Sequence, residues 1–166
     1  MSILHIVIAL VALQRAAELA LARRNTRYLR AQGAFEIDAR GYPWLTLLHG
    51  AWLGCLLLLV PASAVPNWPL LGLYAALQLG RAWVILSLGR RWTTRIIVLP
   101  GAPLVHSGPY RYLRHPNYAV VMAELAVLPL AFGAAAIALF FSAANLMLVG
   151  RRIAIEDRAL AIYRGA

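Results

Sequence analysis

The densest chemistry-bearing stretch of the chain is His106–Tyr118, HSGPYRYLRHPNY, with two Arg, two His, three Tyr and two Pro in thirteen residues. Gly108-Pro109 breaks the backbone, and Pro116 prevents one helix from running through the stretch. A second polar stretch, Arg152-Ile-Ala-Ile-Glu156-Asp157, lies near the end of the chain. Arg152 and Glu156 are four residues apart and share a face on a helix, as a solvated ion pair or as two groups of one site. The loop holds no Ser-His-Asp or paired-carboxylate arrangement. His106 and His115 are nine residues apart with no carboxylate spaced to complete a metal site, so no metal is expected. The loop has two readings. Tyr and Arg anchor proteins at the depth of lipid headgroups. Irregular backbone at that depth can also line a cavity.

The elements that must position these residues are greasy. Of 166 residues, 62% are hydrophobic and 13% charged, against about a quarter charged in soluble domains. That implies an all-α, polytopic membrane protein in a single domain, residues 1–166, rather than a soluble bundle. The net charge is +10 and all sixteen basic residues are Arg. They cluster beside apolar segments, so the charge points to a membrane and not to nucleic acid. Cys55, the single cysteine, sits in an apolar run as a packing residue and excludes internal disulfides. No basic residue precedes the first apolar run, and Arg23 and Arg24 follow it, which fits a retained first helix with its N-terminus outside.

A spanning helix needs about 20 mostly apolar residues. Ile3–Ala22, Leu45–Ala64 and Trp68–Leu88 each supply one, with Pro61, Pro66 and Asn67 marking a short turn. Ala119–Gly150 is 32 residues with one charge, Glu124. At about 1.5 Å per residue it is too long for one crossing of a core of about 30 Å. Pro129 and Gly133 near its middle predict a helical hairpin, giving five transmembrane helices. Five Arg fall in residues 23–43, five in 89–118 and four from 151 onward, with none near 61–67 or 129–133. Five spans put every Arg-rich segment on one side, which the positive-inside rule makes cytoplasmic, with the C-terminus.

Within the spans, Gln14, Arg15 and Glu18 share a face of the first helix. Charges at membrane depth pair or line a wet cavity. Arg15 and Glu18 fit either role, as do Arg81 and Glu124: a mutual contact would neutralise both, or Glu124 could face the active cavity. His49 reads as a hydrogen-bonded packing residue.

The pattern Gly108-Pro109-Tyr110-Arg111-x-x-Arg114-His115-Pro116-x-Tyr118 resembles the isoprenylcysteine carboxyl methyltransferase family of integral-membrane enzymes. Arg152-x-x-x-Glu156-Asp157-x-x-Leu160 is similar to a second element of that family. The resemblance covers about residues 90–163; the first three helices match only in kind. It implies S-adenosyl-L-methionine as methyl donor, in a cytoplasmic pocket built by the loop before the fourth helix and the segment after the fifth. By that similarity Leu104, Val105, Tyr110, His115, Pro116, Asn117, Tyr118 and Glu156 would contact the cofactor. Arg152 would be the catalytic residue facing the methyl acceptor, and Glu124 is a second acceptor-side candidate. A polar family position falls at Arg95, where the residue type differs, and a His frequent near Ala102 is missing.

Methyl transfer to oxygen is an in-line displacement on a donor that is already activated, so alignment and exclusion of water are the main tasks. An acceptor that is already an oxyanion needs no general base. Arg152 could position it by charge-assisted hydrogen bonds. The short chain, LRHPNYAVVMAELAVLPL and LQRAAELALARRN look most similar to bacterial members that O-methylate alkylpyrones and phenolic lipids. The expected acceptor is therefore lipophilic with an acidic oxygen, met in the bacterial inner membrane. A prenylated cysteine carboxylate is the alternative acceptor. An NADPH-dependent sterol-type reductase shares the loop motif, but no Gly-rich phosphate motif accompanies it here. The partners expected are the lipophilic substrate and membrane lipid; no feature reads the oligomeric state.

Overall fold

The computed structural model describes residues 2–163; Arg164 of the basic tail lies outside them. Five α-helices make up the bundle: α1, Ile3–Arg30; α2, Tyr42–Leu59; α3, Trp68–Leu88; α4, Pro116–Ala131; and α5, Ala135–Tyr163. Four of them, α1, α2, α3 and α5, are long and apolar enough to cross a membrane, and α4 is apolar but shorter. Leu13, Leu58, Leu79, Leu86 and Leu139 stand exposed on the bundle surface. A soluble domain rarely leaves such a belt uncovered, whereas lipid covers it without cost.

Local sequence sets the helix ends. Ser2 caps α1, with its hydroxyl accepting from the His5 amide, and Asn67 caps α3 by accepting from the Leu70 amide at 3.1 Å. Pro43, Pro69 and Pro116 sit in first turns, where a missing N–H does no harm. The second helix stops at Leu59, five residues before the sequence expectation. Val60 precedes Pro61 and is extended, with φ −90° and ψ 126°, because proline disfavours α conformation in the residue before it. The first helix runs on to Arg30, past the expected end at Ala22. Its 28 residues exceed what a core of about 30 Å needs, so its last two turns project beyond the apolar stretch.

Between α4 and α5 the chain turns over Phe132, Gly133 and Ala134. The Ala134 amide returns to the Pro129 carbonyl at 2.9 Å, and the Gly133 amide to that of Leu130 at 3.1 Å. Gly133 has φ +73°, a conformation glycine adopts at little cost. The Asn67 amide donates to the Ala131 carbonyl at 2.7 Å, so the α2–α3 turn and the α4–α5 turn meet at one end of the bundle.

At the other end lie the arginine-rich connections. Phe35–Glu36 (β1) and Ile97–Val98 (β2) form a two-residue antiparallel pair, in register Phe35 with Val98 and Glu36 with Ile97. This ladder was not anticipated from the sequence. It ties the α1–α2 connection to the α3–α4 connection. Arg30 and Arg95 clamp it from both sides, each 2.7 Å from Glu36. Arg151 pairs with Asp38 at 3.0 Å and brings in α5.

The core has two apolar clusters. The larger joins Leu4, Ile8, Trp52, Leu56, Leu125 and Leu128. The smaller joins Ala22, Val84 and Trp92 near the arginine-rich end. Along α1 and α3, a polar cluster separates them. Arg81 contacts Glu18 through two nitrogens at 2.5 and 2.7 Å and Glu124 at 2.8 Å. Arg15 reaches Glu18 at 2.9 Å and Glu124 at 2.6 Å. Gln14 donates to Glu18 at 2.9 Å, and Gln78 donates to Glu124 at 2.9 Å. Two cations face two anions, so the buried cluster is neutral, as burial at this depth requires.

Candidate active site

The quoted loop becomes two short structures. Gly108–Arg111 forms a single 3-10 turn, and Pro116 opens α4. Gly108 has φ +58°, and a Cβ there would lie 2.1 Å from the Ser87 hydroxyl oxygen and 3.1 Å from the Trp83 indole nitrogen. Glycine is therefore required for the loop to lie against α3. That contact fixes the entry into α4.

Across this entry stands the last stretch of α5. The Tyr118 hydroxyl donates to Glu156 Oε2 at 2.8 Å. His115 Nε2 lies 3.2 Å from Asp157 Oδ1; a carboxylate only accepts, so the proton is on Nε2. Arg114 reaches the same Asp157 oxygen at 3.3 Å, and His115 Nδ1 lies 4.0 Å from Glu156. Three loop side chains thus grip two neighbouring carboxylates on α5. Asn117 accepts from the buried Trp92 indole at 3.4 Å.

Arg152 is held differently. Its guanidinium donates from one nitrogen to the Thr94 carbonyl at 3.0 Å. It forms no ion pair with Glu156 among the described residues. The residue is only 4% exposed, and its Nε and Nη1 are buried without a hydrogen-bond partner. Unpartnered buried donors on a charged group cost several kcal/mol unless a ligand satisfies them, at about 1–3 kcal/mol or more per group.

Two adjoining cavities meet here. One, about 350 Å³, is walled by Tyr118, Arg152 and Glu156 and by the apolar side chains of Leu45, Leu53 and Val149. Arg15, Glu18, Arg81 and His49 also line it, so the neutral cluster forms part of its wall. His49 Nδ1 is 2.8 Å from the Leu45 carbonyl and donates to it, so the ring is hydrogen-bonded and also faces the cavity. The second, about 430 Å³, is lined by Leu104, Val105, His106, His115, Glu156 and Asp157. Tyr110, Arg114, His115 and Glu156 border both cavities. Burial, followed by the charge of Glu156, pushes the Tyr110 phenol above its ordinary range, so it stays protonated.

Of the residues expected at the site, Leu104, Val105, Tyr110, His115, Asn117, Tyr118, Arg152 and Glu156 all line one or both cavities. Pro116 is buried as the first residue of α4 and lines neither. Glu124, the second acceptor-side candidate, is wholly buried in the cluster with Arg15, Gln78 and Arg81 and lines neither cavity. Arg95 pairs with Glu36, and its guanidinium lies 4.2 Å from the centre of the Tyr42 ring. Among the described residues no group of His, Cys, Asp and Glu is placed to hold a metal.

Trp92, Thr94 and Asp157 were missed as site residues. Asp157 could have been found, since it adjoins Glu156 in the second motif. Thr94 acts through its carbonyl, for which no side-chain type is a signal.

A family model, that of the isoprenylcysteine carboxyl methyltransferase family, matches residues 70–162, the stretch that holds both motifs, α4 and α5. The chain belongs to the isoprenylcysteine carboxyl methyltransferase family. It is 39% identical to YpbQ, an uncharacterized protein of Bacillus subtilis (strain 168), over 95% of this chain and 96% of that one. It is 28% identical to an uncharacterized protein of Haemophilus influenzae, over 96% of each chain. No solved structure matches the chain. As a member of the isoprenylcysteine carboxyl methyltransferase family with several membrane-length helices, the chain is an integral-membrane protein of methyltransferase type. Members of this family generally use S-adenosylmethionine.

Proposed function

We propose that the protein is an S-adenosylmethionine-dependent O-methyltransferase acting on a lipophilic acceptor with an acidic oxygen, of the alkylpyrone or phenolic-lipid type. The observation that carries this reading is Arg152, a buried guanidinium with two donors unclaimed in a cavity whose other walls are largely apolar. A planar cation held at one end and free at the other is suited to an oxyanion.

The residues fit the donor. Leu104, Val105 and Tyr110 offer an apolar and aromatic surface of the kind an adenine ring needs. Glu156 supplies a carboxylate acceptor for hydroxyl or ammonium groups, steadied by Tyr118. When bound, S-adenosylmethionine supplies a methyl group on a sulfonium centre, ready for displacement. The remaining tasks belong to the chain. Thr94 fixes one end of Arg152 through its carbonyl. Nε and Nη1 donate to the acceptor oxygen and hold it in line. An acidic enol, such as that of a hydroxypyrone, arrives as its anion, so no residue need remove a proton from it. Leu45, Leu53, Val121 and Val149 receive the apolar part of the acceptor and exclude water.

We place the site at the cytoplasmic face of the inner membrane, with α1 to α5 as five spans, the N-terminus outside and the C-terminus inside. The arginine asymmetry supports this orientation. The reading is tested by methyl transfer to hydroxypyrones of decreasing chain length. Each buried methylene is worth up to about 0.8 kcal/mol, so KM rises stepwise as the tail shortens. Equal turnover of a chain-free, water-soluble analogue would contradict it.

A further inference from the structure

A third cavity opens at the arginine-rich end, about 380 Å³, on the other side of Tyr42, Thr94 and Arg95 from the cavity that holds Arg152. Its walls carry Arg23, Thr26, Arg27 and Arg30 from α1 and Arg95 from the connection after α3. The spacing of 23, 27 and 30 puts those three on one face of α1. Arg95 comes from the opposite wall and is 65 residues later in the chain than Arg30. One carboxylate, Glu36, serves both Arg30 and Arg95, each at 2.7 Å. Arg23 and Arg27 have no ion-pair partner among the described residues. The cleft therefore carries a surplus of positive charge that converges on a concave space.

We propose that this cleft binds a phosphate group, and that the group is the headgroup phosphate of an anionic lipid. Guanidinium groups converging from two walls match phosphate oxygens bidentately, and a cleft of this kind between helices at a membrane surface suits anionic headgroups. Depth favours the lipid as the source. The cleft lies on the part of α1 that projects beyond the apolar stretch Ile3–Ala22, at the level where lipid phosphates lie. The cleft also adjoins the reaction cavity. Arg95 stacks on Tyr42, the Tyr42 hydroxyl accepts from Thr94 at 3.1 Å, and the Thr94 carbonyl holds Arg152. Binding itself does not depend on the methyl-transfer reading.

Native mass spectrometry of the purified full chain tests the site, with phosphatidylglycerol, phosphatidylcholine and inorganic phosphate as probes. The expected result is retention of phosphatidylglycerol over phosphatidylcholine. Arg23→Gln with Arg27→Gln removes two charge-assisted contacts and weakens that retention about tenfold or more. Arg24→Gln with Arg40→Gln removes the same charge outside the cleft and changes retention by no more than about twofold. Displacement of the lipid by inorganic phosphate would support the phosphate site and assign it to a soluble phosphate compound; no displacement would support the lipid source. Absence of selective retention, or equal weakening by both double substitutions, would overturn the proposal.

Discussion

Arg152 and Glu156 lie one turn apart on α5, yet each looks elsewhere for its partner. Glu156 accepts from Tyr118 at 2.8 Å, and Arg152 donates to the Thr94 carbonyl at 3.0 Å with two nitrogens left over. An i,i+4 ion pair would have spent both charges on each other. On the proposed function, this separation gives Arg152 to the acceptor and Glu156 to the methyl donor.

Arg152→Ala is therefore expected to lower turnover about tenfold or more, from loss of charge-assisted hydrogen bonds worth roughly 1.5–3 kcal/mol. Affinity for S-adenosylhomocysteine should stay near the wild-type value. Turnover assays and calorimetry on the same preparation separate the two effects. An unchanged turnover would remove Arg152 from the acceptor site.

Tyr118→Phe and Glu156→Gln should both weaken S-adenosylhomocysteine binding, and their effects should not add. The phenol acts partly by holding the carboxylate, so a double-mutant cycle should give a coupling of about 0.5–3 kcal/mol. Strict additivity would mean that the 2.8 Å contact does not serve the cofactor.

The buried cluster predicts a stability effect of a different size. Arg81→Ala leaves the two buried carboxylates, Glu18 and Glu124, to share the single charge of Arg15. A loss of about 3–5 kcal/mol follows from breaking a buried pair on one side. Thermal unfolding in detergent measures it. A change under about 1 kcal/mol would show the cluster to be well hydrated.

Orientation follows from the charge pattern. Reporter fusions after residue 64 and at residue 166 should read out on opposite faces of the membrane, the second cytoplasmic. Both on one face would rule out five spans in this order.

Much of the helical plan was legible because proline and glycine punctuate it. Pro129 and Gly133 marked the break that the Ala134–Pro129 hydrogen bond closes. Hydropathy could not see that α1 continues from Arg23 to Arg30, because arginine ends an apolar run but is a good helix former. A ladder of two residues per strand is too short for any alternation to register. The loop residues were legible through their motif, whereas the grip of Thr94 on Arg152 was not, since it is made by backbone. Glu124 was readable as a buried charge but not in its direction. Six residues at about 100° each turn it about 120° around the helix from Tyr118. That turns it away from Tyr118 and into contact with Arg15 and Arg81, which stand between it and the cavity wall.

On the proposed function, the space between the loop and α5 binds a methyl donor. Calorimetric titration of the purified protein with S-adenosylhomocysteine and, separately, with NADP tests it most directly. Saturable binding of S-adenosylhomocysteine is expected, weakened about tenfold or more in Glu156→Gln, with no binding of NADP. Binding of NADP with none of S-adenosylhomocysteine, or binding of neither, would contradict it.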